Sequence, residues 1–110
     1  MPALDGITLA HARRAVEVLS RLATVRGAFV FGSHVWGSPD EWSDIDVAAF
    51  AEGVENWGLQ RRVQAAAYVQ KEAGDDIEMH FFPAAHLHDP PPASFAAFIL
   101  RAGEPVPIAP

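Results

Sequence analysis

The sequence has no cysteine among its 110 residues. That excludes a disulfide framework, a thiolate zinc site, an iron–sulfur cluster and a thiol nucleophile. Lysine occurs once, at Lys71. Eight Lys and Arg stand against fourteen Asp and Glu, for a formal net charge of −6. A surface without a basic surplus does not attract duplex nucleic acid over long range, so no such partner is expected. A small phosphate ligand bound with a divalent cation remains compatible with this charge, because the cation supplies the positive sign. Long apolar runs are also absent: no stretch approaches the ~20 residues of a membrane span. The opening Met1-Pro2-Ala3-Leu4-Asp5 lacks the basic and apolar regions of a signal peptide. A cytoplasmic protein without a membrane partner is therefore expected. The length suits one small domain, 1–110. A chain of this size buries only about two-thirds of its unfolded surface, which favours an open cleft or a site shared with a partner.

What is present alternates between helical and strand patterns. Leu9, Ala12, Val16, Leu19 and Leu22 recur at spacings of three and four, predicting a helix over 7–23. Gly27 separates it from the apolar run Ala28-Phe29-Val30-Phe31, read as a buried strand that ends at Gly32-Ser33. The polar segment 37–43 reads as a loop, and Asp44-Ile45-Asp46-Val47-Ala48-Ala49-Phe50 as a second strand. A helix is expected over 59–73, with Leu59, Val63, Ala66 and Val69 inward and Gly74 as its cap. Ile77 to Phe82 reads as a third strand, ended by Pro83. Residues 86–92 are irregular because of three consecutive prolines, and 93–102 form a last helix with Phe95, Phe98 and Ile99 inward. The tail can add at most an edge strand. The fold class is α/β of an α+β-like kind, a small mixed sheet with helices packed on it. The link between the first two strands is too short for a parallel crossover, so they should be antiparallel.

The chemistry concentrates between Phe31 and Val47. Backbone N–H groups at a strand-to-helix turn bind phosphate oxygens, and Gly32 allows close approach while the Ser33 hydroxyl adds a donor. The same pair also suits a plain strand-ending turn with a serine cap. Asp44 and Asp46 lie two apart on a strand, which puts both carboxylates on one face and Ile45 and Val47 toward the core. Two like charges on one face repel, and a divalent cation such as Mg²⁺ compensates them. Without a cation they would be a solvated strand face. Glu78 sits mid-strand between apolar neighbours and is the expected third carboxylate, with Asp76 of the same parity in reserve. His80 shares the face of Glu78 and is expected to line the cleft rather than to ligate. His86 and His88 beside Asp89 have zinc-like spacing but no third ligand, and Arg61-Arg62 reads as a solvated helix face. Trp36 and Trp42 flank the loop, where they could pack, stack on a base or contact a partner.

These residues resemble a known signature. Gly32-Ser33, Gly37 four residues later, Ser43-Asp44-Ile45-Asp46 and the later strand carboxylate are similar to the DNA polymerase beta-type nucleotidyltransferase superfamily, and most to its minimal nucleotidyltransferase (MNT) branch. The resemblance extends to the closing segment Phe98-Ile99-Leu100-Arg101-Ala102-Gly103-Glu104. It implies the nucleotidyltransferase fold. It implies that Gly32, Ser33, Gly37 and Ser43 belong to the nucleotide site, and that Asp44, Asp46 and Glu78 are catalytic and bind one or two Mg²⁺ ions. The implied reaction is attack of an acceptor hydroxyl on the α-phosphate of a nucleoside triphosphate, ATP, with release of pyrophosphate. For a bare catalytic core the resemblance further implies an antitoxin that modifies a tyrosine of a HEPN-family toxin, in a homo- or hetero-oligomer. Two features depart from the pattern: His34 and Trp36 stand where many relatives have arginine, and Glu78 stands where aspartate is usual. They motivate the alternative, a catalytically weak or inactive antitoxin that neutralises its partner by binding alone.

Overall fold

The computed structural model describes residues 5–37 and 44–108. Helix α1 spans Gly6–Leu19. Asp5 caps it by accepting from the Thr8 amide at 2.7 Å, and that bond holds the Asp5 carboxyl below its ordinary pKa. Strand β1 is Val25–Phe31 and the one-turn helix α2 is Ser33–Trp36. Strand β2 is Ile45–Ala51, followed by a 3-10 turn at Val54–Asn56. Helix α3 is Leu59–Ala73 and strand β3 is Ile77–Pro83. A 3-10 turn at Ala84–Leu87, helix α4 at Phe95–Ala102 and the short strand β4 at Glu104–Pro105 complete the order. Among the described residues, no helix is long and apolar enough to cross a membrane.

The four strands form one mixed sheet in the order β3-β2-β1-β4. β1 pairs antiparallel with β2 and with β4, whereas β2 and β3 run parallel, joined through α3. This is the expected sheet: the short β1–β2 link forces an antiparallel pair, and the longer helical link permits a parallel one. Helices α1 and α3 cover one face, where Ala12, Val16, Leu19 and Val69 meet Val30, Val47, Ala49, Ile77 and Met79. Helix α4 covers part of the other, where Ala96 and Ile99 meet Phe31, Ala48 and Phe50. Because β2 is central and covered on both faces, its run from Val47 to Ala51 is apolar without alternation.

Several sequence expectations shift. The apolar rhythm of α1 runs to Leu22, but the helix stops at Leu19 and Leu22 is left exposed. The chain must turn there to bring Val25 opposite Ala51. Gly27 is therefore not a boundary: it lies inside β1, next to a bulge. A Cβ at Gly27 would meet the Leu87 side chain at 2.8 Å, so glycine here admits the Ala84–Leu87 turn against the strand. In α3 the buried positions are Ala65 and Val69, while Leu59 and Val63 face solvent. In α4, Ala96 and Ile99 are inward and Phe95 and Phe98 lie half-exposed on its flanks. Arg62 is no solvated residue either. It is half-buried and donates to the Val54 carbonyl at 2.8 Å and the Trp57 carbonyl at 3.2 Å, pinning the 3-10 turn to α3.

Candidate active site

β1 ends at Phe31, and the chain reverses at Gly32 with φ 85° and ψ −151°. Side chains other than glycine avoid this region. A second constraint acts at the same atom: a Cβ on Gly32 would lie 2.5 Å from Asp46 Oδ2. The Gly32 carbonyl then accepts from the Val35 and Trp36 amides, at 3.0 and 2.9 Å, which closes α2. The N–H groups at the head of such a turn have no partner within the helix and point outward. Gly37 ends the turn, its amide donating to the Ser33 carbonyl at 3.1 Å. Trp36 folds back over α4 and its Nε1 donates to the Ala102 carbonyl at 2.7 Å. Its ring lies 5.1 Å from that of Phe98. Trp36 thus latches α2 to α4.

Strand pairing assembles the carboxylates. Asp46 is opposite Phe31 on β1 and beside Glu78 on β3, one residue into β2. Both point to the α4 face, as the alternation of β2 and β3 requires. His80, two residues further along β3, completes the group: its Nε2 is 3.2 Å from Asp46 Oδ1 and 3.9 Å from Glu78 Oε1. The imidazole is held by the rings of Phe31 at 4.9 Å and Phe95 at 6.5 Å. Asp46, Glu78 and His80 each offer a donor atom within 4.8 Å of the others. Among the described residues no other group of three histidines and carboxylates does so, and His86 and His88 assemble no such set.

Glu78 has a raised pKa. The main cause is a hydrogen bond shared with Asp46, followed by partial burial and by repulsion from the Asp46 charge. His80 opposes the shift, and Asp44 adds to it. Asp44 is exposed just before β2, within electrostatic reach of Glu78 but outside the three-donor group. The reserve carboxylate Asp76 is turned elsewhere: its Oδ2 is 3.4 Å from His11 Nδ1 on α1, across the sheet edge from the site. The Ile45 amide donates to the Asp76 carbonyl at 2.7 Å, so Asp76 positions the start of β2 through its backbone. Ser43 and Trp42 lie outside the described residues. His80 is the residue that sequence reading placed in the cleft without a ligand role, although its parity with Glu78 was the available signal.

The donor set, two carboxylates with an imidazole beside them, suits a divalent cation. Asp46 crowds Glu78 and raises its pKa, which marks a place where positive charge is missing.

The profile of the nucleotidyltransferase domain family matches residues 12–101, and the chain belongs to that family. No curated protein matches it. In fold, it is similar to a crystal structure from Sulfolobus solfataricus of a protein assigned as a nucleotidyltransferase. The TM-score is 0.56 at 18% identity, over 73% of this chain and 70% of the other. The matched segment begins within α1, contains β1, α2, β2, α3 and β3, and ends one residue short of the end of α4.

Proposed function

We propose that this protein transfers a nucleoside monophosphate, AMP from ATP, onto an acceptor hydroxyl. The observation that carries the reading is the register pairing of Asp46 with Glu78 beside the Gly32-Ser33 turn, within a nucleotidyltransferase domain. In this reading the Gly32 and Ser33 amides and the Ser33 hydroxyl hold triphosphate oxygens. Asp46 and Glu78 would hold Mg²⁺, with Asp44 approaching from the open end and Gly37 beside the nucleotide; the resemblance alone adds Ser43 to the nucleotide site. The bound cation would offset charge on the triphosphate and on the leaving pyrophosphate. The acceptor oxygen bonds to the α-phosphorus, the bond to the bridging oxygen breaks, and pyrophosphate departs. Glu78 also lies where it could take the acceptor's proton.

The acceptor in this reading is a tyrosine of a HEPN-family toxin, with the protein acting as its cytoplasmic antitoxin. Resemblance to the MNT branch supports this, together with the shallow, open setting of Glu78 and Asp44. Incubation with α-labelled ATP, Mg²⁺ and the HEPN protein should label the partner, and the Asp46→Asn variant should not. Label transfer that persists in Asp46→Asn would overturn the site.

A second reading has its own observation. His80 engages Asp46 Oδ1, and the turn carries His34 and Trp36 rather than arginine, with Trp36 committed to Ala102. A contact-only antitoxin fits those features. Calorimetry separates the two: absence of ATP binding at millimolar concentration with Mg²⁺ favours the contact-only role.

A further inference from the structure

His80 is placed as a ligand would be. Two donors that bind one cation at about 2.1 Å, at cis octahedral or tetrahedral angles, lie about 3.0–3.4 Å apart. The His80 Nε2 to Asp46 Oδ1 separation is 3.2 Å, and Glu78 Oε1 is 3.9 Å from the same nitrogen. The imidazole packs in edge-type contacts with aromatic neighbours, Phe31 at 4.9 Å and Phe95 at 6.5 Å. Its Nε2 therefore stays on the carboxylates without a metal to hold it. The third strand, not Asp44, supplies the donor that completes the group. An imidazole nitrogen changes which ion a carboxylate pair prefers. Mg²⁺ takes oxygen ligands and keeps its waters, whereas imidazole suits the first-row transition ions.

We infer that His80 ligates with Asp46 and Glu78, making a mixed nitrogen–oxygen centre that prefers a first-row transition cation, Mn²⁺, Co²⁺ or Zn²⁺, to Mg²⁺. The inference rests on the divalent-cation site of the proposed function and adds its selectivity. A competing role exists for the same geometry. His80 Nε2 could instead serve only as a hydrogen-bond partner of Asp46 Oδ1, and a cation would then have to displace it.

The test is metal binding alone, without nucleotide or acceptor. Calorimetric titration of the protein with Mn²⁺, Zn²⁺ and Mg²⁺ should rank the transition ions well above Mg²⁺. His80→Gln should weaken Mn²⁺ and Zn²⁺ binding by about 10–100-fold and leave Mg²⁺ binding nearly unchanged. A second measurement needs no variant: in NMR of the unsubstituted protein, substoichiometric Mn²⁺ should broaden the His80 imidazole signals before those of the other four histidines. Binding that depends on Asp46 and Glu78 but is unchanged, or tightened, in His80→Gln overturns the ligand role and leaves the proposed function standing. Absence of any divalent binding by the protein alone also overturns the ligand role; the proposed function fails separately if label transfer persists in Asp46→Asn.

Discussion

The Asp46 carboxylate stands where a side chain on Gly32 would have to be: a Cβ there would fall 2.5 Å from Asp46 Oδ2. The end of β1 and the start of β2 are thereby interlocked. The Gly32-Ser33 turn and the carboxylate pair form one structural unit, and a change at either should be felt at the other.

Gly32→Ala tests that unit. It adds a Cβ at φ 85° and drives it into the Asp46 carboxylate. The expected cost is about 1–3 kcal/mol of stability from the backbone alone, read by chemical denaturation. Divalent-cation binding should fall in the same variant. Retention of full cation affinity in Gly32→Ala would show that the turn and the carboxylates are independent.

Asp46→Asn should lower both the activity and the pKa of its neighbour Glu78. Nucleotidyl transfer should fall by about 10²-fold or more, since a charge acting on the reacting phosphates is lost. The causes that raise Glu78 come mainly from Asp46, so its pKa should drop toward the ordinary value. Carboxyl NMR titration of Glu78 reads this directly. The metal-free fold should be no less stable than the parent, because a repulsion has gone.

The raised Glu78 pKa also sets a pH dependence. Its folded-state pKa exceeds the unfolded one, so its contribution to stability is fully present below the unfolded value. That contribution is lost as pH rises through the folded value. The metal-free protein should therefore lose some thermal stability from this group as pH rises through that window. A divalent cation competes with the Glu78 proton, so its stabilising effect should be small on the acid side and larger above the window. Thermal melts with and without cation across acidic to neutral pH provide the check.

Trp36→Phe should separate the latch from the ring packing. Phenylalanine keeps an aromatic ring near Phe98 but loses the 2.7 Å hydrogen bond to the Ala102 carbonyl. A loss of about 0.5–1.5 kcal/mol is expected, with greater hydrogen exchange at the end of α4. An unchanged α4 exchange rate would remove Trp36 from any role in joining α2 to α4.

Burial separates two apolar residues that sequence reading treated alike. Ile99 is fully buried under the α4 face and Leu59 is 79% exposed. Ile99→Ala should cost about 2–5 kcal/mol. Leu59→Ser should stay within about 0.5 kcal/mol of the parent. Equal losses in the two variants would mean that α3 is packed differently from the description above.

Local periodicity is what the sequence by itself determined. The two-residue repeat of β2 and β3 put Asp46 and Glu78 on the same side as their strands' other even-numbered positions, and the short β1–β2 link required an antiparallel pair. The Gly32-Ser33 turn was legible because a strand-ending glycine and serine carry their own backbone geometry. Only the tertiary structure decided which apolar stripe faced the sheet and which partner each polar group found. Leu59 and Val63 repeat as a core stripe does, but the face of α3 that packs on the core gives the buried places to Ala65 and Val69. Asp76 shares the parity of Glu78, yet His11, sixty-five positions earlier in the chain, draws it away from the site. His80 reaches Asp46 across thirty-four residues because β3 lies beside β2 in that register. Pattern repeats are short-range properties of the backbone, whereas register and helix placement depend on how the whole core closes, and that cannot be read from any one segment.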